Sequence, residues 1–143
     1  MYSFLNKGVV SLQDKAPGDT LVITSGPYSH SFGHNYDVSF VGSGNSTLAV
    51  DAFLGGPGST SDVLIVNGNV SGKTKVDVNN INLGPGVYNK EGIPVIYVGG
   101  PNVTGNEFFL SQPIDTGFFN YDLFFKPTGS GIFELKSFLG QGA

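Results

Sequence analysis

The sequence contains no cysteine, no arginine and no tryptophan. Without cysteine the chain forms no disulfide, has no thiolate for a metal and no thiol nucleophile. Without arginine it lacks the forked donor that most often binds phosphate and carboxylate groups. Every basic residue is a lysine and the net charge at pH 7 is −4, so we expect no nucleic-acid partner.

Long hydrophobic runs are also missing. No stretch approaches the roughly 18 apolar residues that a membrane-spanning helix requires. Residues 1–8 lack the charged start and apolar stretch of a secretory signal peptide. If the protein is exported, we therefore expect its targeting region to lie elsewhere in a longer polypeptide.

What the sequence does have is glycine (22 residues), aromatic residues (13%) and many valines. This composition is typical of short strands joined by tight turns. No window shows apolar residues at helical spacing, so the sequence predicts an all-β fold. The predicted strands are 21–24, 36–41, 47–54, 62–66, 73–78, 95–98, 107–110, 120–126 and 131–138.

Two strands show strict alternation. In one, Leu48 and Val50 lie on the face opposite Asp51; in the other, Val76 lies on the face opposite Asp77. A period of two is expected when one strand face is buried and the other contacts water. The pattern therefore predicts that Asp51 and Asp77 face the solvent.

The last two predicted strands are separated by the short segment 127–131, which is rich in glycine and begins with proline. Such a connection is short enough to join the strands as a β-hairpin. Along the chain we expect two parts of one domain, residues 1–91 and residues 92–143. The first, punctuated by Gly and Asn, has the pattern of β-solenoid coils; the second, richer in aromatic residues, has that of a cap over the last coil. A β-sandwich built from the same strands fits the pattern equally well.

Several motifs in fixed order resemble the C-terminal passenger segment of bacterial autotransporters. A glycine-rich segment at 54–68 leads into a strand that ends in Asn-Asn at 79–80. Gly-Ile-Pro-Val follows at 92–95, and an aromatic strand follows at 108–110. A Tyr-x-Leu strand at 121–123 and a final strand at 133–137 complete the set, so the resemblance covers about residues 8–138.

The resemblance implies a right-handed parallel β-helix with a C-terminal β-hairpin cap, the region called the autochaperone. It implies a folding module of an exported adhesin-like or virulence passenger, with no enzymatic activity. In this family a C-terminal outer-membrane β-barrel of the same polypeptide is the partner. The passenger is displayed on the surface of a Gram-negative cell or released from it. We also expect end-to-end self-association of the chain, because an uncapped N-terminal coil exposes strand edges.

On this interpretation the functional residues are those of the cap, and we predict no catalytic residue, no cofactor and no metal. The predicted folding-cap residues are Gly117, Phe119, Tyr121, Leu123, Phe125, Phe133 and Leu135.

An alternative function is a carbohydrate-binding or carbohydrate-cleaving β-solenoid of a secreted or phage protein. Cleavage would require carboxylates that converge in a groove, and Asp51 and Asp77 are the candidates. We expect these acids to be solubilising residues instead. His30 and His34 share the spacing of a helical metal site, but Gly33 lies between them in a β context, which favours a loop.

Five asparagines in the middle of the chain lie at predicted turns. We expect their side chains to stack as an asparagine ladder on successive coils. The five residues are Asn67, Asn69, Asn79, Asn80 and Asn82.

Overall fold

A computed structural model describes residues 3–24, 38–127 and 131–139 of the chain. In these ranges it has thirteen strands and no helix, which confirms the all-β prediction. No described segment therefore forms a helix that could cross a membrane. The first nine strands are β1 (Phe4–Asn6), β2 (Val9–Ser11), β3 (Thr20–Thr24), β4 (Val38–Gly42), β5 (Thr47–Ala52), β6 (Val63–Asn67), β7 (Asn69–Gly72), β8 (Thr74–Asn80) and β9 (Ile93–Val98). The last four are β10 (Phe108–Phe109), β11 (Ile114–Asp115), β12 (Phe119–Pro127) and β13 (Gly131–Leu139).

The first nine strands fall into three successive triplets, and corresponding members of the triplets pair in parallel. β1, β4 and β7 form one sheet; β2, β5 and β8, with β10 added to β8, form a second. β3, β6 and β9 form the parallel part of a third sheet. An antiparallel β-sandwich does not fit this pairing, so that alternative is wrong.

The third sheet continues in antiparallel pairing through β13, β12 and β11. β12 and β13 form a hairpin whose nine paired positions run from Phe119–Leu139 to Pro127–Gly131. The hairpin prediction is confirmed. It packs against β9, which lies in the range predicted to be the cap but pairs in parallel with β6.

A single apolar core lies between the sheets. It contains inward-facing residues of the second and third triplets and of the hairpin, and partly buried residues of β2 and β3 pack against it. Leu48, Val66, Ile96 and Leu135 are completely buried. Alternation supplies these residues: in β8, Val76 is buried while its neighbours Lys75 and Asp77 are exposed, as predicted.

The connections between the strands differ in length at the two ends of the second sheet. β7 and β8 are separated by Lys73 alone, and there Gly72 has φ +73°. A Cβ atom on Gly72 would overlap the carbonyl of Gly42, so this tight corner requires glycine. At the opposite end, the connections 12–19, 53–62 and 81–92 to the third sheet are long.

The predicted asparagine ladder does not form. Strand register places Asn67 beside Thr24, Asn69 beside Val38 and Asn79 beside Asp51, so these residues are not stacked on one another. Asn80 lies beside Ala52 in the same way. The side chain of Asn80 instead accepts hydrogen bonds from the amides of Leu54 and Asn82, at 3.2 and 2.9 Å. Asn80 and Asn82 thus stabilise the turn after β8, whereas Asn67 and Asn79 donate to side chains of the neighbouring strands, Thr24 and Asp51.

Candidate folding cap

The hairpin brings most of the predicted folding-cap residues onto one face. Leu123 pairs with Leu135, and Phe125 pairs with Phe133, so four of the seven form two adjacent cross-strand pairs. Tyr121 precedes them on the same face of β12. Tyr121, Phe133 and Leu135 are fully buried, whereas Leu123 and Phe125 are half-buried.

The remaining two lie at the start of β12. Phe119 pairs with Leu139 and contacts the rings of Tyr88 and Phe118, with centroids 6.0 and 5.3 Å away. Gly117 lies in the turn before β12 with φ +101°, and its amide donates to the Asp115 carboxylate at 2.8 Å. Gly117 is exposed, so it shapes the turn without packing in the core.

The hydroxyl of Tyr121 joins the hairpin to two distant loops. It lies 3.0 Å from the carbonyl oxygen of Gly55 and 2.6 Å from that of Val87, and it accepts a hydrogen bond from the Val87 amide at 3.1 Å. A buried hydroxyl of this kind requires partners, because an unpaired one costs about 1–3 kcal/mol. The tyrosine therefore fixes the 53–62 and 81–92 connections against the cap.

Asn89 and Ser137 extend this contact, and sequence reasoning missed the part that Asn89 plays. Both residues are buried. The Asn89 amide donates to Ser137 Oγ at 2.5 Å, the Ser137 amide donates to the Asn89 carbonyl at 2.9 Å, and Asn89 Nδ2 donates to the Gly55 carbonyl at 3.1 Å. Asn89 Oδ1 accepts from the amides of Glu91 and Gly92, which is an Asx-turn. Asn89 with Gly92 three residues later is the sequence signal for that turn. We call Tyr121, Asn89 and Ser137 the polar clamp.

Five phenylalanine rings form a continuous series of contacts, which we call the aromatic column. In order, they are Phe125, Phe133, Phe108, Phe40 and Phe4. Neighbouring ring centroids are 5.1, 5.1, 5.8 and 5.8 Å apart, within the range of favourable aromatic pairs. The column runs from the hairpin through β10 and β4 to β1 in the first triplet.

One face of the hairpin also carries a buried acid. Glu134 points away from the core pairs but is almost fully buried, and its Oε1 lies 3.4 Å from Lys136 Nζ. A Cβ atom on Gly92 would overlap the Glu134 carboxyl group, so the glycine makes room for it. Lys136 remains partly exposed, so the pair lies at the edge of the buried region.

The prediction that Asp51 faces solvent is wrong. Asp51 is completely buried because segment 12–19 folds over β5: its Oδ2 accepts from the amides of Asp14 and Lys15, and its Oδ1 accepts from Asn79. Burial acts to raise the pKa of the Asp51 carboxyl, but the hydrogen bonds from Asn79, Asp14 and Lys15 outweigh it, and the pKa is lowered.

Two further acids lie close to Asp51. Asp62 Oδ2 accepts from the Asp51 amide at 2.8 Å, and its Oδ1 accepts from the Asp19 amide at 2.9 Å. The negative charge of Asp14 and a hydrogen bond with it raise the pKa of Asp19. The Asp51 and Asp62 carboxylates hold backbone amides, so these two residues stabilise the fold of this corner.

The two acids of the carbohydrate-cleaving alternative lie in different environments. Asp51 and Asp77 lie on neighbouring strands, but Asp51 is buried and Asp77 is exposed, so they do not converge in one groove. Within residues 3–24, 38–127 and 131–139, no three His, Cys, Asp or Glu side chains form a group that could hold a metal ion. His30 and His34 lie outside the described residues.

A family model described as Autochaperone Domain Type 1 matches residues 26–123, more than half of the chain. The chain belongs to the autochaperone family. The matched region of this autochaperone domain begins before β4 and ends inside β12, at one of the predicted cap residues, Leu123.

Curated relatives of the autochaperone domain come from Escherichia coli (strain K12). The uncharacterized protein YuaQ is 34% identical over 118 residues, which cover 82% of this chain and 7% of YuaQ. The probable autotransporter YfaL is 39% identical over 89 residues, covering 62% of this chain and 6% of YfaL. The uncharacterized protein YdeU is 37% identical over 79 residues, or 55% of this chain and 16% of YdeU. The chain thus spans a small part of the relatives that it matches.

Proposed function

We propose that this autochaperone domain is a folding template, which folds first at its C-terminal hairpin and then adds β-helix coils toward its N-terminus. One observation carries the proposal. Among the described residues, β1, β2 and β3 are each the terminal strand at one end of a sheet and pair along one edge only, whereas the third sheet continues at its other end through the hairpin to β11. Unpaired strand edges accept further strands.

On this proposal the triplets are coils of a right-handed parallel β-helix, in which 1–91 supplies coils and 92–143 the cap. The parallel pairing of corresponding strands in the three triplets supports it. A formed edge lowers the entropic cost of adding a coil, because the next strand pairs with an existing partner instead of closing a long loop by itself. Coils then add by nearest-neighbour contacts.

The family and the similarity to YfaL, a probable autotransporter, support a wider role. We propose that the domain belongs to a passenger exported through a C-terminal outer-membrane β-barrel of the same polypeptide. The passenger then displays an N-terminal payload at the cell surface of a Gram-negative bacterium, or is released. The domain itself has no enzymatic activity on this proposal.

Pulsed hydrogen exchange during refolding tests the order of folding. The chain is diluted from denaturant, labelled at increasing delays, and analysed by mass spectrometry after proteolysis. We expect amides of β9, β12 and β13 to gain protection before those of β1, β2 and β3. Simultaneous protection, or earlier protection of β1–β3, would overturn the template proposal.

Two variants of the hairpin test whether its packing controls the folding of the N-terminal strands. Leu135→Ala removes a fully buried side chain from the hairpin, and Phe124→Ala removes an exposed ring from the same hairpin. The template proposal predicts that Leu135→Ala slows protection of β1–β3 and that Phe124→Ala leaves their rate unchanged. Equal effects of the two changes would contradict it.

A further inference from the structure

The N-terminal end of the molecule carries a cavity of about 400 Å³ between β1, β3 and β4. Its lining residues are Ser3, Phe4, Leu21, Val22, Ile23, Thr24 and Ser39. None of these side chains is charged, and the larger ones are apolar. Phe4 is 41% exposed although its strand partner Phe40 is buried, so one part of the Phe4 ring lacks the cover that Phe40 has.

Among the residues that the structure describes, Phe4 is the last ring of the aromatic column. It lies in register with Phe40 on the parallel strand β4, and the two rings stack with centroids 5.8 Å apart and an interplanar angle of 10°. Parallel strands lie about 4.8 Å apart, so in-register side chains on adjacent strands meet directly. A further parallel strand that pairs in register with the outer edge of β1 would place a side chain on the outer face of Phe4.

We propose that the uncovered face of Phe4 is a seat for an aromatic side chain, and that the N-terminal end therefore selects an incoming parallel strand with an aromatic residue at the register position of Phe4. This selection rests on the proposed template function, since it names which strand the template accepts. An aromatic ring gains both apolar burial and ring stacking in the seat. A charged side chain would lose its hydration there without finding an opposite charge among the lining residues.

Strand β4 supplies a natural probe, because it already pairs in parallel with β1 and stacks Phe40 on Phe4. The probe is an acetylated and amidated peptide with the sequence of residues 38–45; the control peptide has alanine in place of its phenylalanine. Each is titrated to millimolar concentration into the isotope-labelled intact chain, and amide shifts of β1 and β3 are followed by NMR. The experiment is repeated with Phe4→Ala and with Val9→Ala, an exposed residue of β2 outside the cavity.

We expect the phenylalanine peptide to bind wild type and Val9→Ala about tenfold more tightly than the alanine peptide, a ratio that corresponds to about 1.4 kcal/mol. For the Phe4→Ala variant, the ratio of the two peptide affinities should fall to about one. Since the two peptides are compared on the wild-type chain, the test does not depend on the variant folding.

Two results overturn the aromatic seat and leave the template function standing. One is equal binding of both peptides at β1, which means that the edge accepts strands without selecting them. The other is a preference for the phenylalanine peptide that remains tenfold in the Phe4→Ala variant. If neither peptide shifts the β1 amides, the seat is overturned as well, and the template proposal is then decided separately by the order of protection during refolding.

Discussion

The two ends of the molecule differ in how completely they are packed. At the hairpin end, Tyr121 and Leu135 are 0% exposed, and the tyrosine hydroxyl has partners in two loops. At the N-terminal end, Leu5 is 55% and Val9 66% exposed, and their strands pair along one edge only. Apolar burial is the main source of folding free energy, so the strands of the first triplet gain less of it than the hairpin and the triplets between.

This difference indicates that local stability decreases along the stack of triplets, from the hairpin end to the N-terminal end. Regions with little buried apolar area open at low free-energy cost, whereas the core strands open only with the whole domain. The graded packing suits the proposed template, because a stable end must exist before a less stable end can be extended.

The largest expected effect on stability is that of Phe133→Ala, which tests how well the hairpin end is packed. This ring is buried and contacts Phe108 and Phe125 in the aromatic column, so its removal leaves a cavity at the hairpin end. We expect a loss of about 3–5 kcal/mol in the free energy of unfolding, measured by urea denaturation. Phe124→Ala, which removes an exposed ring of the same hairpin, should cost less than about 1 kcal/mol. Similar losses for both would contradict the assignment of Phe133 to the packed core of the hairpin end.

Tyr121→Phe tests the polar clamp without changing the core volume. Only the hydroxyl is lost, so the Val87 amide loses its acceptor, and we expect a cost of about 1–3 kcal/mol. Hydrogen exchange should show faster exchange at the Val87 amide. The control is Tyr97→Phe, since Tyr97 is partly exposed and should change stability little. An unchanged Val87 exchange rate would contradict the clamp.

Asp51→Asn tests the corner where segment 12–19 covers β5. The quantity to measure is the pH dependence of the free energy of unfolding. Since the pKa of Asp51 is lowered in the folded state, its contribution is present above the unfolded pKa of about 3.9 and is lost as the pH falls through the lower folded value. Asp19 acts in the opposite sense: its raised pKa means that protonation relieves repulsion from Asp14 as the pH falls. We expect Asp51→Asn to cost about 1 kcal/mol at pH 7 and progressively less toward pH 3, measured by urea denaturation. Asp77→Asn, at an exposed site, is the control; a pH-independent loss in Asp51→Asn would refute the assignment.

The smallest expected effect on stability is that of Val9→Lys at the N-terminal end. Val9 is exposed, so the free energy of unfolding should change by less than about 0.5 kcal/mol. A lysine on an edge strand disfavours pairing with another chain, so the predicted end-to-end self-association should weaken. Sedimentation velocity at increasing protein concentration measures it, with Lys75→Ala on the covered strand β8 as control. Association that persists unchanged would place the contact elsewhere.

The hairpin was the part of the fold most accessible from the sequence. Its strands were predicted at 120–126 and 131–138 and run from Phe119 to Pro127 and from Gly131 to Leu139, because alternation and the turn segment are both local signals. Strands β1, β2, β7 and β11 were missed. Each has two to four residues, too few for alternation to be visible, and each exists because a neighbouring strand offers a partner.

The candidate site was accessible only in part. The alternation of β12 put Tyr121 on the inner face, but the partners of its hydroxyl, Gly55 and Val87, are 66 and 34 residues away and belong to no periodic pattern. Alternation also misplaced Asp51, because the segment that covers it lies between β2 and β3 in the chain and reaches β5 by tertiary contact. Local patterns give the face of a strand, but they do not show what later covers that face.

The connections between strands differ in length and in free space, and this difference determines where the domain tolerates insertions. The corner at Gly42 and Gly72 has no room for an added side chain, whereas the 53–62 and 81–92 connections carry points that face open solvent, at Gly58 and Leu83. Extra loop length at such points costs little, since closure entropy grows only slowly with length. We therefore expect foreign peptide sequences grafted next to Gly58 or Leu83 to leave the strand register intact.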